Sequence, residues 1–235
     1  VDTHLATIRT AYDRLLDAYG PQGWWPAATS KARAEAWEIM VGAMLVQRTS
    51  WRNVVTAISK IETAEMMSVE AIHACDPERL ADLIRPAGPQ RVKAQRLQAL
   101  TQLLVESFEG SVESLLLGVT DRRIAWKRRE QLLDVKGIGP ETADAILLYA
   151  GGAPVFVVDA YKRRVMKRHG WGDADAPYDE VAKFWRRRLP KDPAVYDEAH
   201  ALLVNVGVEH CRSPTPRCDG CPLQAMLPRG GPILD

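Results

Sequence analysis

The chain has 235 residues, of which 46% are hydrophobic and 26% charged, with 31 basic against 30 acidic side chains. That balance excludes disordered, collagen-like and coiled-coil chains, because apolar side chains suffice for a core and Gly and Pro are scattered. No apolar run approaches the roughly 20 residues that span a bilayer, and Asp2, Arg9, Asp13 and Arg14 interrupt any secretory-type stretch at the start, so a cytoplasmic protein with no membrane partner is expected.

In chain order, breakers at 20–26, 76–77, 86–89, 137–140, 151–154, 170–177 and 190–193 separate segments of helical length. Trp37, Met40, Val41, Met44 and Leu45 follow a helical stripe, as do Leu97, Leu100 and Leu104. Strand alternation is nearly absent, so the sequence predicts an all-α protein of about ten helices. Residues 121–171 carry eleven Lys/Arg against six acids, a local excess of five in a chain whose net charge is +1. Such a block reads either as a solvated helix face or as the footprint of a polyanion.

The most informative segment runs from Gln131 to Leu148, QLLDVKGIGPETADAILL. It predicts a helix, a turn at Gly137-Ile138-Gly139, and a second helix with Pro140 in its first turn, where a missing N–H costs nothing. The glycines permit a tight hairpin whose amides, at a helix start, face an anion such as a phosphate; the plainer reading is a joint between two core helices. Eighteen residues after Glu141 stands Asp159, at the end of the apolar run Val155–Val158 and before the helix-like 160–169. Asp159 suits a helix N-cap, with Gly170 at the far end. A carboxylate tethered near an anion-binding hairpin also suits glycosidic cleavage on DNA, where it stabilises oxocarbenium charge and orients or deprotonates water.

Leu-x-x-Val-x-Gly-Ile-Gly-x-x-Thr-Ala-x-x-Ile-Leu followed by Val-Val-Asp at this spacing resembles the helix-hairpin-helix DNA glycosylases of the endonuclease III superfamily. The resemblance implies a two-lobed all-α fold. Residues 25–155 would form a six-helix barrel carrying the hairpin, and residues 1–24 with 156–235 a lobe of N- and C-terminal helices. It implies a monomer acting on double-stranded DNA that contains a damaged base, nucleoid-associated within the cytoplasm, with the damaged nucleotide flipped out. Gln47, Lys136, Gly137, Ile138, Gly139, Glu141 and Thr142 would contact DNA, with Gln47 a candidate to fill the gap left by the flipped nucleotide, and Asp159 would be catalytic.

Bifunctional relatives have a nucleophilic lysine where this sequence has Glu141, and a carboxylate forms no Schiff base, so a monofunctional, water-using glycosylase is expected. Lys136, the nearby amine, lies on the other side of the turn. Adenine-mismatch relatives place a glutamate four residues before the Gln of Gln47-Arg48-Thr49; here that position is Ala43, which leaves a neutral adenine without an acid. A base already cationic, such as an N-alkylated purine, needs less acid help. Trp24-Trp25-Pro26 together with Trp51 resembles the base pocket of the 3-methyladenine branch, where electron-rich rings favour cationic purines. Trp37, Trp126, Trp171 and Trp185 read as packing residues. An oxidised pyrimidine, a mismatched base, or damaged-DNA binding without catalysis are the alternatives.

Cysteines in such a compartment are reduced, so their spacing reads as metal or redox chemistry before disulfides. Cys211-x6-Cys218-x2-Cys221 reproduces three of the four cysteines that hold a 4Fe-4S cluster in endonuclease III relatives, with Leu227 in the fourth place. Three outcomes stay open: a structural cluster completed by another side chain such as His210, a zinc site, or a loop without metal.

Overall fold

The computed structural model describes residues 3–25 and 35–234. Twelve α-helices and no strands are present among them. They fall into two compact units, one made of residues up to Trp24 together with those from Pro154 onward, the other of Trp25–Ala153. No described helix is long and apolar enough to cross a membrane.

The unit from Trp25 to Ala153 contains α2 (Ala36–Leu45), α3 (Trp51–Thr63), α4 (Val69–Ala74), α5 (Pro77–Leu83), α6 (Gln90–Phe108), α7 (Val112–Leu116), α8 (Arg122–Leu133) and α9 (Pro140–Ala145), the last running on into a π-turn, Ile146–Ala150. The twelve helices slightly exceed the about ten expected because capping residues subdivide the chain: Ser68, Asp76, Ser111 and Asp121 each accept backbone N–H groups at a helix start. α2 departs from its one-sided stripe. Every residue from Trp37 to Leu45 is buried, because α3, α6, α9 and the π-turn pack around it. On α6, Leu97, Leu100 and Leu104 are wholly buried as their spacing predicts.

Two buried cations brace this unit. The Lys93 ammonium donates to the Leu45 carbonyl at 2.7 Å and the Ala87 carbonyl at 2.6 Å, tying the end of α2 to the 3-10 turn Arg85–Ala87, and burial lowers its pKa. Arg129 on α8 meets Asp144 on α9 at 2.6 Å, with both side chains 5% exposed, which fixes the two arms of the hairpin against each other. Trp126, read as a packing residue, is instead 41% exposed and lies against the Arg129 guanidinium. Trp37, Trp171 and Trp185 are buried.

The other unit is built from α1 (Thr3–Tyr19), α10 (Ala160–His169), α11 (Tyr178–Arg186) and α12 (Pro193–Glu209). α12 is its centre, with α1 and α10 packed on it. Gln22 fastens the segment after α1 to α12 through Glu198 and Asn205. Gly207 lets Tyr161 lie on α12, since a Cβ there would collide with that ring. The run Val155–Val158 is buried, and Phe156 stacks on Trp185, so the chain entering Asp159 is held in the core.

Replacing Arg129 with Met is expected to cost about 3–5 kcal/mol in urea unfolding by stranding Asp144, and adding Asp144→Leu should recover most of it. Equal losses in the single and double variants would refute this account of the pair.

Candidate active site

The hairpin follows from its residues. α8 ends at Leu133, and Ile138 is buried with its N–H bonded to the Val135 carbonyl. Gly137 has φ +95°, and a Cβ there would collide with Arg96, so glycine is required twice over. Gly139 has extended backbone with nothing within 4 Å of a would-be Cβ, so the chain itself does not demand glycine there. Pro140 occupies the first turn of α9 as its sequence position predicts, and Glu141 is an exposed residue of that turn.

Gln47 is neither a solvent-facing helix end nor a free side chain. Its Nε2 donates to the Gly137 carbonyl at 3.1 Å and to Thr142 Oγ1 at 3.0 Å, while its Oε1 accepts from the Arg96 guanidinium. Gln47, Gly137 and Thr142 are thus brought together. Ile138 is buried in packing and Thr142 is buried with its hydroxyl on Gln47, leaving Lys136, Gly139 and Glu141 as the exposed members of the hairpin set. Arg96 was not singled out from sequence, because nothing in its own helix marks it as a hairpin contact.

Among the aromatic residues, Trp25 meets Trp51 edge to face at 4.9 Å between centroids and Tyr149 at 5.2 Å. Gly42 makes room for them: a Cβ there would lie 3.1 Å from Trp25 and 3.2 Å from Trp51. Tyr149 sits in the π-turn, whose altered register no spacing rule anticipates. Trp24 belongs to the other unit, its ring 5.7 Å from that of His200. Pro26 lies outside the described residues.

Asp159 caps α10 as its position suggests, its Oδ1 accepting the Lys162 N–H at 2.8 Å. Its Oδ2 also accepts from the Lys162 ammonium at 3.1 Å. Lys162 is wholly buried, and its Nζ lies 2.7 Å from His200 Nδ1; His200 Nε2 is 3.8 Å from Asp159 Oδ2. Burial raises the Asp159 pKa, but the Lys162 charge, His200 and the Lys162 hydrogen bonds outweigh it, and the net direction is downward. Burial, reinforced by Lys162, pushes His200 down to about 3 against the Asp159 attraction, so its neutral Nδ1 accepts from the ammonium. The arrangement is the carboxylate of a side chain that is 12% exposed, set on a buried cation. Lys162 and His200 were missed in the sequence: a lysine three residues into a helix is commonplace, and His200 comes from α12.

Residues 41–191 match the family described as HhH-GPD superfamily base excision DNA repair protein. The chain belongs to the HhH-GPD superfamily. It is 41% identical over 217 residues to the provisionally named DNA repair glycosylase MJ1434 of Methanocaldococcus jannaschii, covering 92% of this chain and 94% of that protein. The fold is similar to a trapped endonuclease III–DNA covalent intermediate, with a TM-score of 0.76, 25% identity and 96% of each chain covered. It is also similar to H. pylori 3-methyladenine DNA glycosylase (MagIII) bound to 1,N6-ethenoadenine, with a TM-score of 0.70 and 26% identity, covering 89% of this chain and 98% of that one. The family match takes in the hairpin, Asp159 and Lys162 and leaves out Trp25, His200 and the cysteine loop.

In this HhH-GPD protein the cysteine loop does not fit a four-iron cluster. Cys211, Cys218, Cys221, His210 and Leu227 line a cavity of about 10 Å³, room for a single water. Leu227 supplies no ligand, Arg168 donates to Cys211 Sγ at 3.4 Å, and His210 Nδ1 is 3.0 Å from the Arg217 carbonyl. No group of three or more His, Cys, Asp or Glu among the described residues is arranged to hold a metal ion. Arg168 also reaches the Arg212 and Pro214 carbonyls, and Arg164 the Cys211 carbonyl, so guanidinium groups hold the loop.

His200 makes acid stability testable. Between its folded value of about 3 and the ordinary 6.5, the unfolded chain takes up a proton that the folded chain refuses, so stability drops as pH is lowered across that window, by up to about 1.4 kcal/mol per pH unit. His169, lowered by burial, acts in the same direction, whereas Asp159 contributes to acid loss only below 3.8. Melting temperature should therefore drop below pH 6.5 and drop less in His200→Gln; a flat wild-type profile down to about pH 4 would contradict the assignment.

Proposed function

We propose that this protein is a monofunctional DNA glycosylase of base excision repair. It hydrolyses the N-glycosidic bond of alkylated purines of the 3-methyladenine type flipped from double-stranded DNA. The observation that carries this reading is Asp159, a partly exposed carboxylate fixed at both oxygens and held ionised in an apolar setting.

An N-alkylated purine is cationic. When its bond to the sugar breaks, the electron pair goes to the base, which leaves neutral without a proton donor. Positive charge builds on the sugar, and a fixed anion counters it more effectively than solvent because it needs no reorganisation. Water then adds at the same carbon, oriented by Asp159, and releases a proton. Ala43, buried in α2 where adenine-mismatch relatives carry an acid, agrees with a leaving group that needs none. Glu141 stands where the strand-cleaving amine would be, and the Lys162 amine is engaged with Asp159 and His200. The Trp25, Trp51 and Tyr149 rings supply π surface for a cationic base. MagIII, among the similar structures, holds a modified adenine. Lys136 and the exposed edge of the hairpin would meet phosphates, so binding should weaken as salt rises.

The decisive measurement is base release from methylated duplex DNA under single turnover. Wild type should release 3-methyladenine, Asp159→Asn should fall by at least about 100-fold, and borohydride should trap no covalent adduct. Binding without release from any lesion would instead establish a non-catalytic module, and release confined to oxidised pyrimidines or mismatches would move the substrate to another class.

Trp25→Ala should lower kcat/KM for the cationic lesion by about 10-fold, the worth of one cation–π contact, with less effect on a neutral lesion. The purified protein should lack the visible absorption of an iron–sulfur centre.

A further inference from the structure

The N-caps of this protein provide an internal comparison. Asp76, Asp121 and Asp192 cap α5, α8 and α12 through backbone amides in exposed settings. Asp159 caps α10 in the same manner through Oδ1, yet its Oδ2 carries a second bond to an ammonium with no solvent exposure. Lys93 and Lys162 are the buried lysines among the described residues; Lys93 bonds two carbonyls, and Lys162 alone of the two meets a carboxylate. A helix cap does not require this.

We infer that Lys162 and His200 are positioning residues for Asp159, a buried pair that keeps the carboxylate ionised and fixes its orientation at the start of α10. The inference rests on the catalytic reading of Asp159 and adds two residues to that site. Neither need touch DNA.

The geometry gives each residue a task. Asp159 is anchored at both oxygens, so its carboxylate cannot rotate freely. The Lys162 side chain has no exposure and that of Asp159 is 12% exposed, so the negative member of the pair is the one nearer solvent. That is the polarity needed opposite a developing oxocarbenium ion. His200 Nδ1 accepts from the ammonium at 2.7 Å and so aims it; its Nε2 is turned toward Oδ2 at 3.8 Å. The Trp24 ring packs on His200. Titratable groups at this region among the described residues include Lys162 on α10, His200 on α12, and Tyr178 at the start of α11, whose hydroxyl accepts the Val158 N–H at 3.2 Å. A carboxylate this enclosed and without its cation would take up a proton at higher pH and lose its function. Histidine neutrality, favoured by its surroundings, keeps the ammonium as the single positive charge of the trio.

The test compares the pH dependence of single-turnover base release in wild type and Lys162→Met. The acid limb should move up by about one pH unit or more, with DNA Kd changed less than about twofold. An unmoved limb in a folded Lys162→Met variant would overturn the inference, because loss of packing alone does not change the protonation midpoint.

Two measurements hold even if that variant fails to fold. In wild type, NMR titration should show His200 neutral down to about pH 4, and a midpoint near the ordinary 6.5 would overturn the arrangement. Asp159→Asn should melt below wild type because it strands Lys162, and Asp159→Asn with Lys162→Met should melt higher than Asp159→Asn while staying inactive. Wild-type melting in Asp159→Asn would refute the charge pair. Wild-type base release in Asp159→Asn is a distinct outcome: it would remove the catalytic reading itself.

Discussion

A charge that cannot reach water must be met by polar partners nearby, and the Lys162 ammonium meets that requirement through Asp159 and His200. The contact binds the start of α10 to α12 through His200, and it leaves the carboxylate at the edge of the enclosed region. The same side chain therefore terminates a helix, compensates a buried cation and presents an anion. These roles share one cause, since a carboxylate has two oxygens and the fold uses them differently: Oδ1 for the backbone, Oδ2 for the charge.

The unit that carries the hairpin follows a related logic with different groups. Its buried polar contacts link segments that are distant in sequence: Lys93 joins the end of α2 to the turn before α6, Arg129 joins the hairpin's two helices through Asp144, and Gln47 joins the end of α2 to the turn at Gly137. Each bond is strong because the setting is apolar, and each leaves an orphaned group if broken. The hairpin is thereby held rigid from behind by Arg96, Gln47 and Thr142, while Lys136 and Gly139 stay at the surface. A rigid turn of this kind loses little conformational freedom when it meets a ligand.

The cysteine loop is held by contacts that its cysteine spacing does not announce. The resemblance to endonuclease III implies four thiolates holding this segment around a cluster. Here Leu227 replaces one thiolate, and Arg164 and Arg168 bond the loop's carbonyls and one sulfur instead. The fold is kept by hydrogen bonds to guanidinium groups, which suit carbonyl-rich turns because each presents several donors in one plane.

Local rules in the sequence determined a good deal of this protein. Periodicity gave the all-α class and the buried face of α6; Gly-Ile-Gly-Pro gave the hairpin; Asp159 before a polar helix ending in Gly170 gave a cap at each end, because these features depend on a few neighbouring residues and their φ, ψ preferences. What surrounds each residue was decided by tertiary structure alone. α2 is enclosed on all sides, Trp126 lies at the surface, Gln47 is spent on the hairpin, and Tyr149, Arg96, Lys162 and His200 enter their sites from segments whose own patterns are ordinary. The reason is that burial and pairing are set by chain segments brought together from far apart in sequence, and only the packed fold makes those segments neighbours.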